Sequence, residues 1–181
     1  MKTVLIRHGK TMCNLEGRYM GCGIDEPLCE EGKSELRTLR VPKVDKVFAS
    51  PMRRCLETAA ILYPENTVEI VEDFRECDFG SFEGRKFAEL NGDPTYQRWL
   101  DSNGELSFPN GENKTAFSTR CVRAYERIRS KYEGECALIV HGGTIMAIME
   151  KYARPQKGYF DYQVKNGHGY ILKDDGSSAF I

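Results

Sequence analysis

Two of the three histidines in this chain occupy matching positions near its two ends. His8 closes the segment TVLIRHG (3–9), and His141 follows the apolar run of CALIVHGG (136–143). An imidazole can act as a nucleophile or a proton carrier near neutral pH. Arg7, beside His8, has the planar donor geometry that suits a phosphate or carboxylate. The two segments therefore predict a paired-histidine reaction centre for an anionic substrate.

The elements that carry these residues are expected to bring them to one place. Strands predicted over 3–6, 46–49 and 137–140 end in polar residues, and ligands bind at the carboxyl ends of parallel strands. The second strand is followed by a helix pattern with Ser50 as N-cap and Pro51 at its first position. Arg54 lies early in that helix and is expected to point over the same edge. Free N–H groups at the helix starts favour an anion there.

The remaining patterns indicate the fold class. Further strands are predicted over 68–71 and 169–172, and a long amphipathic helix is predicted over 117–132. Alternating strands and helices predict an α/β three-layer sandwich, with a central, mostly parallel sheet flanked by helices. We expect a single domain over 1–181, with the glycine-rich segment 78–111 as a small lid or pocket wall over the sheet's carboxyl edge.

Composition limits the other possibilities. The 26 basic and 27 acidic residues give a net charge of −1, which argues against nucleic-acid and membrane-surface partners. The seven cysteines form no C-x-x-C pair, so we expect reduced, mostly structural thiols rather than disulfides or a zinc site. The apolar runs are too short for a signal peptide or a membrane span. These features predict a cytoplasmic protein.

Seven segments, in this order, resemble the histidine phosphatase superfamily, in its phosphoglycerate-mutase-like branch. They are LIRHGKTMCN (5–14), EGRYMG (16–21), DEPLCEEG (25–32), ASPMRRCLETA (49–59), FRECDFGSFEG (74–84), PNGE (109–112) and LIVHGGT (138–144). The compact members of this family, α-ribazole phosphatase and broad-specificity phosphatases, are similar in size to this chain. Because the segments cover nearly the whole chain, the resemblance extends to the complete fold.

The resemblance implies a role for each matching residue. His8 would be the nucleophile, with Arg7, Arg54 and His141 neutralising the phosphoryl oxygens. Glu76 would be the general acid, and Asp78 is the alternative acid. Further contacts to the substrate or its phosphate would come from Asn14, Gly142, Met20 and Gly21. Neither a metal nor a cofactor is implied, and the partner would be a small phosphorylated metabolite.

Several residues keep simpler interpretations. Glu76 could be an ordinary loop carboxylate, and Glu112 fits helix capping at least as well as catalysis. Arg53 is expected in solvent, and His168 at the surface. Cys121 and Arg127 match the spacing of thiol phosphatases but fall inside a predicted helix, so Cys121 is expected in the core. Four positions differ from the usual family residues: Lys10, expected to add positive charge near the mouth, Met20, Cys22 and Asn110.

Three functions remain open at this stage. The favoured one is a metal-independent phosphomonoesterase that acts through a phosphohistidine. A cofactor-dependent phosphoglycerate mutase would use the same intermediate, but only about 35 residues separate Glu76 from Glu112, which leaves little material for a closed lid. A non-catalytic phospholigand-binding module is the third possibility, because a fold does not fix a function. An enzyme is favoured because binding alone needs no nucleophile, whereas the chain has the full set of Arg7, His8, Arg54, Glu76 and His141.

Overall fold

Six strands form one sheet in the computed structural model, which describes residues 2–181. The sheet order is β3-β2-β4-β1-β5-β6, and β5 is the one strand that runs antiparallel to the others. The predicted mostly parallel sheet is therefore confirmed. The strands are β1 (Lys2–Arg7), β2 (Lys46–Ala49), β3 (Val68–Ile70), β4 (Cys136–Val140), β5 (Gly169–Lys173) and β6 (Ser178–Phe180).

The two strands that end in histidine are direct neighbours. β1 and β4 pair in parallel with Arg7 opposite Val140, so His8 and His141 both follow the last paired position. The His8 backbone N–H continues the ladder by donating to the Val140 carbonyl at 2.9 Å. Both strands are buried on their two faces, as their continuous apolar runs predict. The sheet register therefore places the two imidazoles side by side.

Helices cover both faces of the sheet and complete the predicted three-layer sandwich. Val4 and Ile6 pack with Cys55 and Ala59 on one face, whereas Leu5 and Leu138 pack with α6 and α7 on the other. The helices are α1 (Met12–Leu15), α2 (Glu30–Thr38), α3 (Arg53–Leu62), α4 (Phe87–Leu90), α5 (Pro94–Asp101), α6 (Lys114–Lys131) and α7 (Gly142–Tyr152). None of the helices in residues 2–181 has the length and apolarity needed to cross a membrane.

The start of α3 differs from the sequence prediction. Met52 is the N-cap and Arg53 the first helical residue, so Ser50 and Pro51 precede the helix instead of capping it. The Ser50 hydroxyl lies 2.8 Å from Nε2 of His141. The hydroxyl that the sequence predicts as a helix cap is therefore hydrogen-bonded to His141 instead. As predicted, Arg53 is exposed, and the Cys121 side chain is fully buried within α6.

The segment 78–111 builds one wall above the carboxyl edge of the sheet. It contains a 3-10 turn at Gly80–Phe82, followed by α4 and α5. Phe82, Tyr96 and Phe108 are buried in a cluster that packs on Phe117 of α6. Since this cluster is largely aromatic, the segment forms a solid wall despite its short helices.

Candidate active site

A cavity of about 410 Å³ opens at the carboxyl ends of β1 and β4. Its polar floor includes Arg7, His8, Asn14 and Glu76, with Gly142 at the start of α7. Its upper walls come from the segment 78–111 and from residues 159–163. Sequence-predicted residues from both ends and the middle of the chain therefore meet in one place.

His8 is held with one ring nitrogen free. Its Nδ1 lies 2.7 Å from the Gly9 carbonyl, so Nδ1 carries the proton as donor and Nε2 is the unprotonated nitrogen. The side chain is 2 % exposed. Burial lowers the pKa of His8 well below 6.5, and the charges of Arg54 and Arg7 lower it further. The ring is therefore neutral at pH 7, which is the form that can act as a nucleophile.

The two arginines each present an unused donor. Arg7 donates from Nη1 to the Val164 carbonyl at 2.8 Å, and Arg54 donates from Nη1 to the Ile24 carbonyl at 2.9 Å. The Nε atom of each is buried and has no hydrogen-bond partner among residues 2–181. A Cβ added at Gly142 would lie 3.6 Å from Arg7 Nε, which places the start of α7 against this guanidinium. Two buried donors and a helix N-terminus favour an anion.

Glu76 and His141 form the other side of the buried group. The Glu76 Oε2 atom lies 3.5 Å from His141 Nδ1, and Oε1 accepts the Cys77 N–H at 2.9 Å. Burial raises the pKa of Glu76 above 4.5, although Arg54 opposes the shift. Burial also lowers the pKa of His141 well below 6.5. Both shifts favour the neutral form of the side chain.

Asn14 is oriented by the short helix that carries it. Thr11 caps α1, and its backbone N–H donates to Asn14 Oδ1 at 3.1 Å. The Nδ2 group makes no hydrogen bond within the described chain, residues 2–181, and Asn14 lines the cavity. The capping geometry therefore leaves an amide donor for a ligand in the cavity.

Comparison with known proteins identifies the family of this chain. A family model described as the histidine phosphatase superfamily (branch 1) matches residues 3–180. The chain belongs to this superfamily.

Two relatives and one solved structure illustrate the likeness. The chain is 29% identical over 164 residues to phosphoglycerate mutase-like protein 4 of Arabidopsis thaliana, covering 84% of this chain and 70% of that protein. It is 28% identical over 177 residues to the adenosylcobalamin/alpha-ribazole phosphatase of Salmonella typhimurium, covering 92% and 87%. The alpha-ribazole phosphatase structure from Shigella flexneri superposes with a TM-score of 0.85 at 23% identity, over 100% and 95% of the two chains, and shares the fold.

In this histidine phosphatase, Asn166 contacts the loop that carries His8 and the side chain of Asn14. No sequence pattern identified it as a site residue. Its Nδ2 group lies 3.0 Å from the His8 carbonyl, 3.4 Å from the Gly9 carbonyl and 3.2 Å from Asn14 Oδ1. The neighbouring Gly167 N–H donates to the Arg7 carbonyl at 3.0 Å. The pattern Asn166-Gly167 indicates only a turn, and no local signal says which loop the turn contacts.

Two candidate residues from the loop after α1 are placed differently from each other. Met20 lines the cavity, and its sulfur accepts the Thr11 hydroxyl at 3.4 Å. Gly21 is not part of the lining of the cavity; its carbonyl accepts Arg54 Nη2 at 3.4 Å. A side chain at Gly21 would overlap the Cys77 carbonyl and the Glu83 carboxylate. Gly21 thus acts through Arg54, by holding the guanidinium.

Other candidates lie away from the cavity. Asp78 accepts the Gly80 N–H at 2.8 Å and faces Cys22 and Glu83 outside the lining, so it is not positioned as the alternative acid. Lys10 lies outside the cavity lining and binds Glu31 and Glu35 of α2 at 2.7 and 2.6 Å, so it does not bring the expected positive charge to the mouth.

Glu112 and His168 also lie outside the lining of the cavity. Glu112 binds Arg120 at 2.7 Å, and Asn113 caps α6 instead. His168 is half-buried and stacks on Phe180 at the sheet edge. Neither side chain is therefore placed to contact a ligand on the polar floor.

Proposed function

We propose that this histidine phosphatase is a metal-independent phosphomonoesterase that hydrolyses small phosphorylated metabolites through a phosphohistidine at His8. The observation that carries the proposal is the pair of buried, unpartnered Nε donors of Arg7 and Arg54 beside a neutral His8. Buried donors without acceptors are rare, and a phosphoryl group would supply acceptors to both.

The charges of the buried group support a phosphate as ligand. The pKa shifts favour the neutral forms of Glu76, His8 and His141, which would leave the two positive charges of Arg7 and Arg54. A phosphate monoester dianion carries two negative charges, so the bound complex would be balanced without a metal ion. Stabilisation of this kind acts strongly in a site that is shielded from water.

In the first step, Nε2 of His8 attacks phosphorus and the bond to the ester oxygen breaks. The departing alkoxide takes the proton of Glu76, so the alcohol leaves as a neutral molecule. The Gly9 carbonyl keeps its hydrogen bond to Nδ1, which stabilises the positive charge that develops on the ring. Asn14 and the start of α7 would hold the phosphoryl oxygens.

In the second step, water attacks the phosphohistidine from the side that the alcohol has left. Glu76, now a carboxylate, accepts a proton from the water as the new P–O bond forms and the P–N bond breaks. Inorganic phosphate leaves, His8 is neutral again and Glu76 is protonated. Both half-reactions therefore use the same two residues, His8 and Glu76.

The test is turnover of p-nitrophenyl phosphate in the presence of EDTA, with His8→Ala as the inactive variant. A panel of phosphorylated metabolites, scored for free phosphate and for isomers, separates a phosphatase from a mutase. Release of phosphate without isomer formation supports the proposal. Isomer formation without phosphate release, or undiminished activity of His8→Ala, contradicts it.

A further inference from the structure

We propose that this enzyme prefers phosphate monoesters of uncharged alcohols that carry an apolar ring, and that it discriminates against substrates with a carboxylate. This inference rests on the proposed function. It comes from the part of the cavity above the phosphate-binding floor, where the alcohol part of a substrate would lie.

One wall of this upper part is a continuous aromatic surface. Phe79 and Phe108 lie 4.7 Å apart between ring centroids, and Trp99 lies 4.9 Å from Phe108. Tyr19 contacts Phe79 and Trp99 edge-on at 5.9 and 6.3 Å. All four rings line the cavity. Each ring packs against at least one other, so the wall is held in place before a substrate binds.

The tyrosine hydroxyls of the cavity are bound to the protein itself. Tyr19 Oη lies 2.7 Å from Tyr96 Oη, and Tyr159 Oη donates to the Gly143 carbonyl at 3.2 Å. The hydroxyls are thus already satisfied, and what these two residues offer a ligand is ring surface. Phe160 stands beside Tyr159, with ring centroids 5.1 Å apart, and extends the apolar surface toward the mouth.

The cations in the upper part already have acidic partners. Lys114 forms an ion pair with Glu105, and its Nζ lies 5.1 Å from the Tyr159 ring centroid. Arg18 binds Glu16 at 2.6 Å and the Gly84 carbonyl at 2.7 Å. A substrate carboxylate would have to displace Glu105 or Glu16, or lie close to one of them. An uncharged ring would not have to displace a glutamate and would not be repelled by one. It would bury apolar surface against the aromatic wall instead.

The first experiment compares alcohols of similar leaving ability. The intact protein is assayed with 2-phenylethyl phosphate, ethyl phosphate and O-phospho-L-serine, with p-nitrophenyl phosphate in EDTA as the reference. We expect kcat/KM for 2-phenylethyl phosphate to exceed that for phosphoserine by roughly tenfold or more. Turnover of all four substrates without this preference overturns the inference and leaves the proposed function intact. Loss of turnover with every substrate overturns both.

Two variants test the wall and the charges separately. Phe160→Ser should lower kcat/KM for 2-phenylethyl phosphate relative to ethyl phosphate by roughly twofold to tenfold. Phe160 is 55% exposed, and Phe180→Ser, at a 60% exposed ring on β6, is the matched control. Glu105→Gln, which releases Lys114, should raise kcat/KM for phosphoserine by roughly twofold to fivefold. An unchanged substrate ratio in both variants overturns the inference.

Discussion

The Glu76 carboxyl group and the His141 imidazole face each other across 3.5 Å in a site where both side chains are buried. Burial moves their pKa values in opposite directions, upward for Glu76 and downward for His141. Both shifts favour the neutral form of the side chain. A raised carboxyl pKa is what the general-acid role proposed for Glu76 requires.

The pH profile should show the proton of Glu76 directly. Glu76 is active in the first step while protonated, so kcat/KM for an alkyl phosphate should fall as pH rises through its raised pKa. The limb at low pH should lie below 6.5, because His8 is inactive once protonated and its pKa is depressed. Glu76→Gln should lose the limb at high pH and turn over alkyl phosphates about 10²- to 10⁴-fold more slowly.

The same variant has a built-in control. A substrate with a good leaving group, such as p-nitrophenyl phosphate, needs little protonation, so Glu76→Gln should still release p-nitrophenol in a rapid first turnover. Unchanged turnover of alkyl phosphates by Glu76→Gln, with the limb at high pH retained, would show that another group supplies the proton.

Ionisation of Glu76 should also lower the free energy of unfolding as the pH rises. Its pKa in the folded protein lies above its ordinary 4.5, so folding takes up a proton between these two values. The free energy of unfolding of the wild type therefore falls as pH rises through that window, whereas residue 76 of Glu76→Gln does not titrate. We expect denaturant titrations to show Glu76→Gln gaining stability over the wild type from pH 4.5 to pH 8. A difference that is constant with pH would contradict the raised pKa.

The strand ends were the most predictable part of this site. The runs before His8 and His141 are continuous and apolar, which identifies buried parallel strands, and parallel strands bring their carboxyl ends together. Ser50 was not predictable in the same way. A serine before a proline fits a helix cap, and only the tertiary structure shows that its hydroxyl lies 2.8 Å from His141 Nε2.

The Ser50 hydroxyl should therefore contribute more to the stability of the fold than the hydroxyl of an exposed serine. Removing its hydroxyl leaves buried Nε2 of His141 with only the weak contact to the Cys55 sulfur at 3.7 Å, which costs about 1–3 kcal/mol. We expect Ser50→Ala to lower the free energy of unfolding by this amount, measured by chemical denaturation. Ser130→Ala, at an exposed position of α6, is the control and should change stability by less than about 0.5 kcal/mol. Equal stability of the two variants would rule out this role.

Asn166 is expected to act through Asn14 and the His8 loop. If it orients Asn14, the effects of Asn166→Ala and Asn14→Ala on kcat/KM should not add, with a coupling of about 1 kcal/mol or more in a double-mutant cycle. Asn66→Ala removes a similar amide contact, to the Val44 carbonyl, far from the cavity, and should leave kcat/KM unchanged. Additive effects of the two substitutions would mean that Asn166 does not act through Asn14.

Long-range contacts explain what the sequence left hidden. Asn166 lies 158 positions from His8 in the chain and meets it only because β5 pairs with β1. The aromatic wall likewise combines Tyr19 with Phe79 and Trp99, which no period in the sequence connects. Residue types and strand ends identified the chemistry, whereas the residues that position and select the substrate required the fold.

The most direct test of the account is the identity of the phosphorylated residue. Protein mixed with excess substrate and quenched within milliseconds should carry an acid-labile phosphoryl group on Nε2 of His8, formed at least as fast as kcat. His168→Ala, at a histidine outside the cavity, should retain this phosphoprotein, and His8→Ala should show neither phosphoprotein nor turnover. Full turnover with no phosphohistidine, or a phosphoryl group on His141 instead, would contradict the account.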